Sequence, residues 1–248
     1  MTTALTETTC QTCGGTFHYE PVIIFGRDLA RPLHLLCEPC KLREAAEDQE
    51  KRGKERIRHL ADRWRATVPP DLQESCATHP TFNRPLWNVI KDWGPCAGNR
   101  SLGIIGPAAR RKTRVMAMLA KRVFWQAHGQ TACAQPNLVW TSAVKLKDAA
   151  TDRYSRDRHV STAARELLSD CLKTPWLFLD DLGKNEWSPA FESQLFQILD
   201  HRVNHQLTTV WSANAHPEDF APMISPLNAW PIIGRLLDRC TLLDLREE

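Results

Sequence analysis

Apolar residues are arranged in two different ways along the chain. From about residue 76 onward, short unbroken apolar runs alternate with stretches of helical periodicity. SLGII (101–105), NLVW (137–140), WLFLDD (176–181), TTVWSAN (208–214) and TLLDL (241–245) read as strands. TRVMAMLAKRVFWQ (113–126), a segment ending near Cys171, FESQLFQILDHRV (191–203) and GRLLDRC (234–240) read as helices. Unbroken apolar strands separated by helices predict a parallel sheet with helices on both faces, in which ligands sit at the carboxyl ends of the strands. Before residue 76 the pattern changes. Residues 41–66 are dense in helix formers of mixed charge with few apolar positions, which predicts a solvated helix ended by Val68-Pro69-Pro70-Asp71. The predicted organisation is a small module over 1–42, a charged helical linker over 43–75 and an α/β domain over 76–248.

Composition narrows this picture only modestly. Within 248 residues, 42% hydrophobic and 25% charged residues fit a globular chain with one sizeable core. A net charge of +3 permits a DNA partner without requiring one. No apolar run approaches the roughly 20 residues that span a bilayer, so no membrane role is expected. The N-terminus lacks the pattern of a cleaved leader, so the nine cysteines are expected to be reduced and the protein cytoplasmic.

Four of those cysteines carry chemistry. Cys10-Gln-Thr-Cys13-Gly14-Gly15 and Cys37-Glu-Pro-Cys40 form two C-x2-C pairs. Each tight turn converges two thiolates on one ion, so the spacing predicts a closed, structural Zn2+ site in a zinc-ribbon-like module. A redox pair is the competing reading of one C-x2-C, and His18 and His34 are alternative ligands. The remaining cysteines lack ligand spacing.

LGIIGPAARRKTRVM reads as strand, loop and helix. Gly106-Pro107-Ala108-Ala109-Arg110-Arg111-Lys112-Thr113 follows G-x-x-x-x-G-K-[ST] except that Arg111 stands at the second glycine. Such a loop wraps phosphate with backbone N–H groups, its Lys neutralises the outer phosphates and its Thr hydroxyl ligates Mg2+. Asp180 and Asp181 end a buried strand, where the first would serve the Mg2+ shell and the second would orient or deprotonate water. Asn214 ends another strand within reach of a phosphate. Arg235 is read at a helix start, placed to reach a neighbouring subunit's nucleotide.

Together these residues resemble the AAA+ ATPase domain of bacterial helicase loaders and transposition ATPases, the DnaC and IstB type, over about residues 80–246. LFLDDLGK, FESQLFQILDHRVNHQLTTVWSAN and IIGRLLDRCTLLDL carry the resemblance. It implies ATP and Mg2+ binding, assembly into a homo-oligomer, action on single- or double-stranded DNA, and a replicative helicase or transposase as partner. On this resemblance Lys112 and Thr113 match Walker A, Asp180 and Asp181 Walker B, Asn214 sensor 1 and Arg235 the arginine finger. The chain departs from the family at Ala109 and Arg111, where glycine is usual, and in a minimal or absent helical lid. A non-Gly residue at positive φ costs on the order of 1 kcal/mol, whereas Arg110 and Arg111 add charge that favours phosphate. Two functions follow: an ATP-binding loader with slow or conditional hydrolysis, or a pseudo-ATPase zinc-finger adaptor. A third reading is a DNA-binding zinc protein whose C-terminal domain only oligomerises. Lys145, Lys147, Arg153, Arg156 and Arg158 form a basic cluster suited to a phosphate backbone, or else a solvated face interleaved with Asp148, Asp152 and Asp157.

Overall fold

A computed structural model describes residues 5–21, 23–24, 27–28, 36–130, 138–183 and 187–246. The chain divides into two compact units, Met1–Arg63 and Trp64–Glu248. In the first, strands β1 (Thr6–Thr9) and β2 (Thr16–Tyr19) form an antiparallel hairpin, with Thr9 opposite Thr16. A second two-stranded ladder pairs β3 (Ile23–Ile24) with β4 (Arg27–Asp28). Helix α1 (Glu38–Thr67) begins three residues before the charged run that predicts it. Residues 41–59 are exposed, as the shortage of apolar positions requires. Ion pairs such as Lys54–Glu50 (2.6 Å) and Arg52–Asp48 (3.6 Å) line the helix, each contributing about 0.3–0.5 kcal/mol. Val68 and Pro69 end α1, and Pro70 opens the single turn α2 (Pro70–Gln73).

The larger unit is built on five parallel strands: β5 (Ser101–Ile105), β6 (Leu138–Ser142), β7 (Trp176–Leu182), β8 (Thr208–Ala213) and β9 (Cys240–Asp244). Their order in the sheet is β6-β7-β8-β5-β9. Every residue of β5 and β8 is buried, so the centre of the sheet is covered on both faces. The connecting helices are α4 (Lys112–Gln130), α5 (Ala143–Asp152), α6 (Arg158–Lys173), α7 (Pro189–Asn204) and α8 (Ala229–Leu237), with α3 (Arg84–Ile90) preceding the sheet. A 3-10 helix (Pro217–Met223) precedes α8. No described helix is long and apolar enough to cross a membrane.

Packing explains the tryptophans on the strands. Trp140 and Trp176 both stack on Phe178, with centroids 5.8 and 6.2 Å away. Trp211 on β8 is fully buried, and its ring lies so close to β5 that a Cβ on Gly103 would stand 2.4 Å from it. The close approach of β8 to β5 therefore depends on a residue without a side chain. It matters because these two strands deliver the phosphate loop and Asn214 to the same edge.

Buried polar groups tie the helices to this sheet. Arg202 of α7 is fully buried and donates to the carbonyl oxygens of Cys171 (2.7 Å), Thr174 (2.9 Å), Pro175 (3.3 Å) and Thr208, and to the Thr209 hydroxyl (3.0 Å). Glu192, also on α7, accepts from the Ser225 N–H (3.0 Å), the Ser225 hydroxyl and the Asn228 amide (2.9 Å). Burial raises its pKa, but these donors outweigh burial and hold it below the usual carboxylate range. A carboxyl lowered in the folded state adds stability that is full above its unfolded value of about 4.3 and is lost as pH falls through the folded value. Accordingly, Glu192→Gln is expected to lose stability at pH 7 and to lose less of what remains on acidification to pH 3 than the parent chain does. Thermal melts at both pH values measure this.

Candidate functional site

The phosphate loop leaves β5 at Gly106 and enters α4 at Lys112. Gly106 has φ 150°, and its N–H bonds the Ala213 carbonyl of β8 at 3.2 Å. Ala109 and Arg111 stand at φ 66° and 60°, the left-handed conformation that glycine adopts freely. The loop thus keeps a glycine-type backbone course without glycine at these two positions, at about 1 kcal/mol each. Asn83 supports it from outside: its Oδ1 caps α3 by accepting from the Leu86 N–H, and its amide donates to the Arg110 carbonyl at 3.1 Å.

Lys112 is buried and donates to three oxygens: the carbonyls of Gly106 (2.8 Å) and Pro107 (3.0 Å), and Asn214 Oδ1 (3.0 Å). Burial lowers its pKa, opposed by the charges of Asp181 and Asp180. Thr113 donates its hydroxyl to Asp180 Oδ1 at 3.0 Å, which brings together the Thr and Asp expected around Mg2+. Asp180 is buried, and burial together with Asp181 raises its pKa against the opposing hydroxyls of Ser212 and Thr113. Asp181 has φ 57° and lies where the register of β7 against β8 shifts between Leu179 and Leu182. This irregularity turns the second carboxylate away from the strand alternation and into the cleft. Ser212, invisible as a motif, fixes both acids: its Oγ donates to Asp180 and accepts from the Asp181 N–H at 3.1 Å.

Lys112, Thr113, Arg111, Asp181 and Asn214 line one cleft of about 340 Å³, together with Asp71, Leu72, Ala108, Ala109 and Arg114. That volume falls among small-ligand sites. Its lining suits a Mg2+–nucleotide: a buried cation for phosphate, a hydroxyl bonded to the buried Asp180 for the ion and a second carboxylate, Asp181, for water. Asp71 and Leu72 belong to α2, and Arg114 bridges to them by donating to the Asp71 carbonyl at 3.4 Å. Nothing in the spacing of the motifs points to α2 as a wall of this cleft.

Arg235 does not line the cleft. It sits in the last turn of α8 rather than at a helix start, because the helix already begins at Ala229, and its Nε donates to Asp200 of α7 at 2.8 Å. The basic cluster also divides. Arg153 is half-buried, bonds Gln194, and lies 4.6 Å from the ring of Tyr154, itself 71% exposed. Arg156 and Arg158 are exposed, and Asp157 is used as the cap of α6.

In the smaller unit, the sulfurs of Cys10, Cys13, Cys37 and Cys40 all lie within 4.8 Å of one another, with Cys13 and Cys37 at 3.6 Å. A tetrahedral ion with Zn–S bonds of about 2.3 Å needs thiolates about 3.8 Å apart, so the four cysteines fit zinc. The first pair occupies the turn of the β1–β2 hairpin, where Gly14 has φ 73° and bonds back to the Cys10 carbonyl. The second pair lies in the opening turn of α1, with Cys40 and Lys41 N–H groups both donating to the Cys37 carbonyl. The N–H groups of Cys13 and Cys37 pull Cys10 down to about 6, while bonding to Cys37, burial and the neighbouring thiols push Cys40 up to about 12. Thiols this close cannot ionise together without a cation between them. His18 is not among the clustered ligands, and His34 and Cys133 lie outside the described residues. One zinc per chain is expected by elemental analysis, and a strong chelator should unfold residues 1–63 while leaving the ellipticity of the larger unit in place.

No protein-family model matches the sequence, and no curated protein does. Solved structures do. A putative primosome component from Streptococcus pyogenes serotype M3 aligns over 75% of this chain and 94% of its own, at 16% identity and a TM-score of 0.53. Domain III of the replication initiation protein DnaA from Thermotoga maritima aligns over 72% and 68%, at 14% identity and a TM-score of 0.53. A DNA replication initiation factor is matched more weakly, at 13% identity and a TM-score of 0.46, and the chain spans only 41% of its length. These likenesses are likenesses of fold. With the parallel order β6-β7-β8-β5-β9 and a loop of P-loop type leading from β5 into α4, the likenesses to the primosome component and to domain III of DnaA give the larger unit a P-loop fold of the AAA+ type.

Proposed function

We propose that this chain binds Mg-ATP as a cytoplasmic helicase-loader-like protein, assembles as a homo-oligomer on DNA, and recruits or regulates a replicative helicase or transposase, with slow or conditional hydrolysis. The observation that carries it is the convergence of Lys112, Thr113, Asp181 and Asn214 on one cleft, with Asp180 bonded to Thr113. Lys112 holds the outer phosphates. Thr113 and Asp180 would hold Mg2+, which when bound neutralises phosphate charge. Asp181 orients water or takes its proton, and Asn214, already bonded to Lys112, keeps the ammonium at the strand ends.

Arg235 acts on the nucleotide of a neighbouring copy. The exposed Trp230 (65%) and Leu227 (87%) on α8 and its leading turn suit such a contact, since large apolar anchors dominate interfaces. Exposed Arg156, Arg158 and Tyr154 offer charge and one stacking surface to a DNA strand. The zinc module docks a protein or nucleic-acid partner.

Titration of fluorescent ATP with Mg2+, against Lys112→Ala, is the decisive experiment; no binding at millimolar nucleotide sinks the reading. A pseudo-ATPase adaptor is favoured by one observation, the non-glycine residues at positive φ in the loop. Glycine at both 109 and 111 separates the two. Because the backbone already follows the glycine course, the double variant is expected to change ATP affinity less than about tenfold, about 1.4 kcal/mol. A jump in turnover of orders of magnitude instead identifies a site that the parent chain has lost.

A further inference from the structure

We infer that Asp200 is a positioning residue for Arg235, holding its guanidinium in the orientation that presents it to the nucleotide of a second copy. The inference rests on the proposed function above. Asp200 uses both oxygens: Oδ1 accepts from Arg235 Nε at 2.8 Å, and Oδ2 accepts from the Asn204 amide at 3.0 Å, one helical turn further along α7. The acid is therefore fixed by its own helix before it engages the arginine.

The choice of atom matters. A guanidinium grips phosphate oxygens best through its planar fork of N–H donors, and a carboxylate on Nε orients that plane while leaving the terminal amino groups for a ligand. The pair is 39% and 32% exposed, so it is reachable from outside the chain rather than sealed in the core. The supporting element is itself anchored at both ends of α8. Glu192, two turns earlier on α7, holds Ser225 and Asn228 at the entry to α8, so α7 fastens α8 at its start and at its end. Helix α7 also follows directly from the strand that carries Asp180 and Asp181. The acids of one cleft and the carboxylate that orients the arginine are thus mounted on consecutive elements, β7 and α7. A long side chain left to sample its rotamers would meet the phosphate in few of them, and a displacement of about 1 Å costs on the order of 100-fold in rate.

The test uses the full chain with Mg-ATP, following steady-state turnover and ATP-dependent self-association by sedimentation velocity. Arg235→Ala is expected to lose turnover by more than about 100-fold. Asp200→Ala is expected to lower kcat about tenfold with the KM for ATP unchanged, and Asn204→Ala to lower it less. Asp200→Asn keeps an oxygen that accepts from Nε and should restore at least half of the lost rate, a rescue that a fold defect would not give. Should Asp200→Ala fail to fold, Asp200→Asn and Asn204→Ala carry the comparison. Normal or raised turnover in Asp200→Ala, with Arg235→Ala inactive, overturns the positioning role alone; raised turnover would make the pair a restraint on Arg235. Full turnover and assembly in Arg235→Ala, or a parent chain indifferent to Mg-ATP in both assays, overturns the underlying reading and this inference with it.

Discussion

Lys112→Ala is expected to lower Mg-ATP affinity by about 100-fold, the equivalent of about 3 kcal/mol, while leaving the fold intact. Three acceptors hold the ammonium at the mouth of the loop, aimed along the strand ends where Asp181 and Asn214 also stand. A phosphate would exchange with the carbonyls of Gly106 and Pro107 for the same cation, so the substitution removes both the charge and the preset position of its donors. Some stability is lost as well. Two carbonyls and the Asn214 amide oxygen lose a donor, which at a half-open cleft costs about 1–2 kcal/mol because water replaces part of it. Titration with labelled ATP and a thermal melt separate the two effects. A variant that binds as tightly as the parent chain refutes the role given to Lys112.

The largest expected loss of stability comes from a residue with no part in the chemistry. Arg202→Met should destabilise the larger unit by about 3–5 kcal/mol, lowering its melting temperature by on the order of 10 °C. Methionine fills much of the volume, but four carbonyl oxygens and the Thr209 hydroxyl are left without their donor in a sealed interior. Two of those carbonyls, Cys171 and Thr174, lie at the C-terminal end of α6, where a cation also satisfies the helix dipole. Burial brings the guanidinium pKa down to about 10, still far above neutrality, so the charge is retained there at working pH. Arg202→Lys, which keeps the charge but supplies fewer and differently placed donors, should fall between the two. A melt of Arg202→Met within about 2 °C of the parent would show that the interior refills the site with water or rearranges.

The sequence makes the strands, the phosphate loop and the cysteine pairs legible because each is written in adjacent residues. An unbroken apolar run such as WLFLDD needs only its own side chains to declare a buried strand ending in acids. The same holds for Cys10 and Cys13, whose tight turn is local. Ser212, Asp200, Asn204 and Asn83 are different. Each acts through a partner on another element or through an ordinary helical spacing, and none belongs to a motif. Ser212 sits 31 residues from Asp181, and only the parallel register of β7 and β8 brings them together. Arg235 stands in the last turn of α8 rather than at its start because the helix already begins at Ala229, with Pro231 tolerated in its first turn. The contribution of α2 to the cleft depends on where the chain returns after Pro69, which no periodicity encodes.

The left-handed backbone at Ala109 and Arg111 bears on the heat and entropy of ligand capture. A loop with glycine at those positions visits many shapes when empty and must abandon them on binding. Side chains at the same positions narrow the set of shapes the free chain can adopt, so that, if the loop takes phosphate as proposed, less disorder would remain to be removed on binding. Strain accepted during folding is then offset, in part, by a smaller entropic penalty at the moment of recognition.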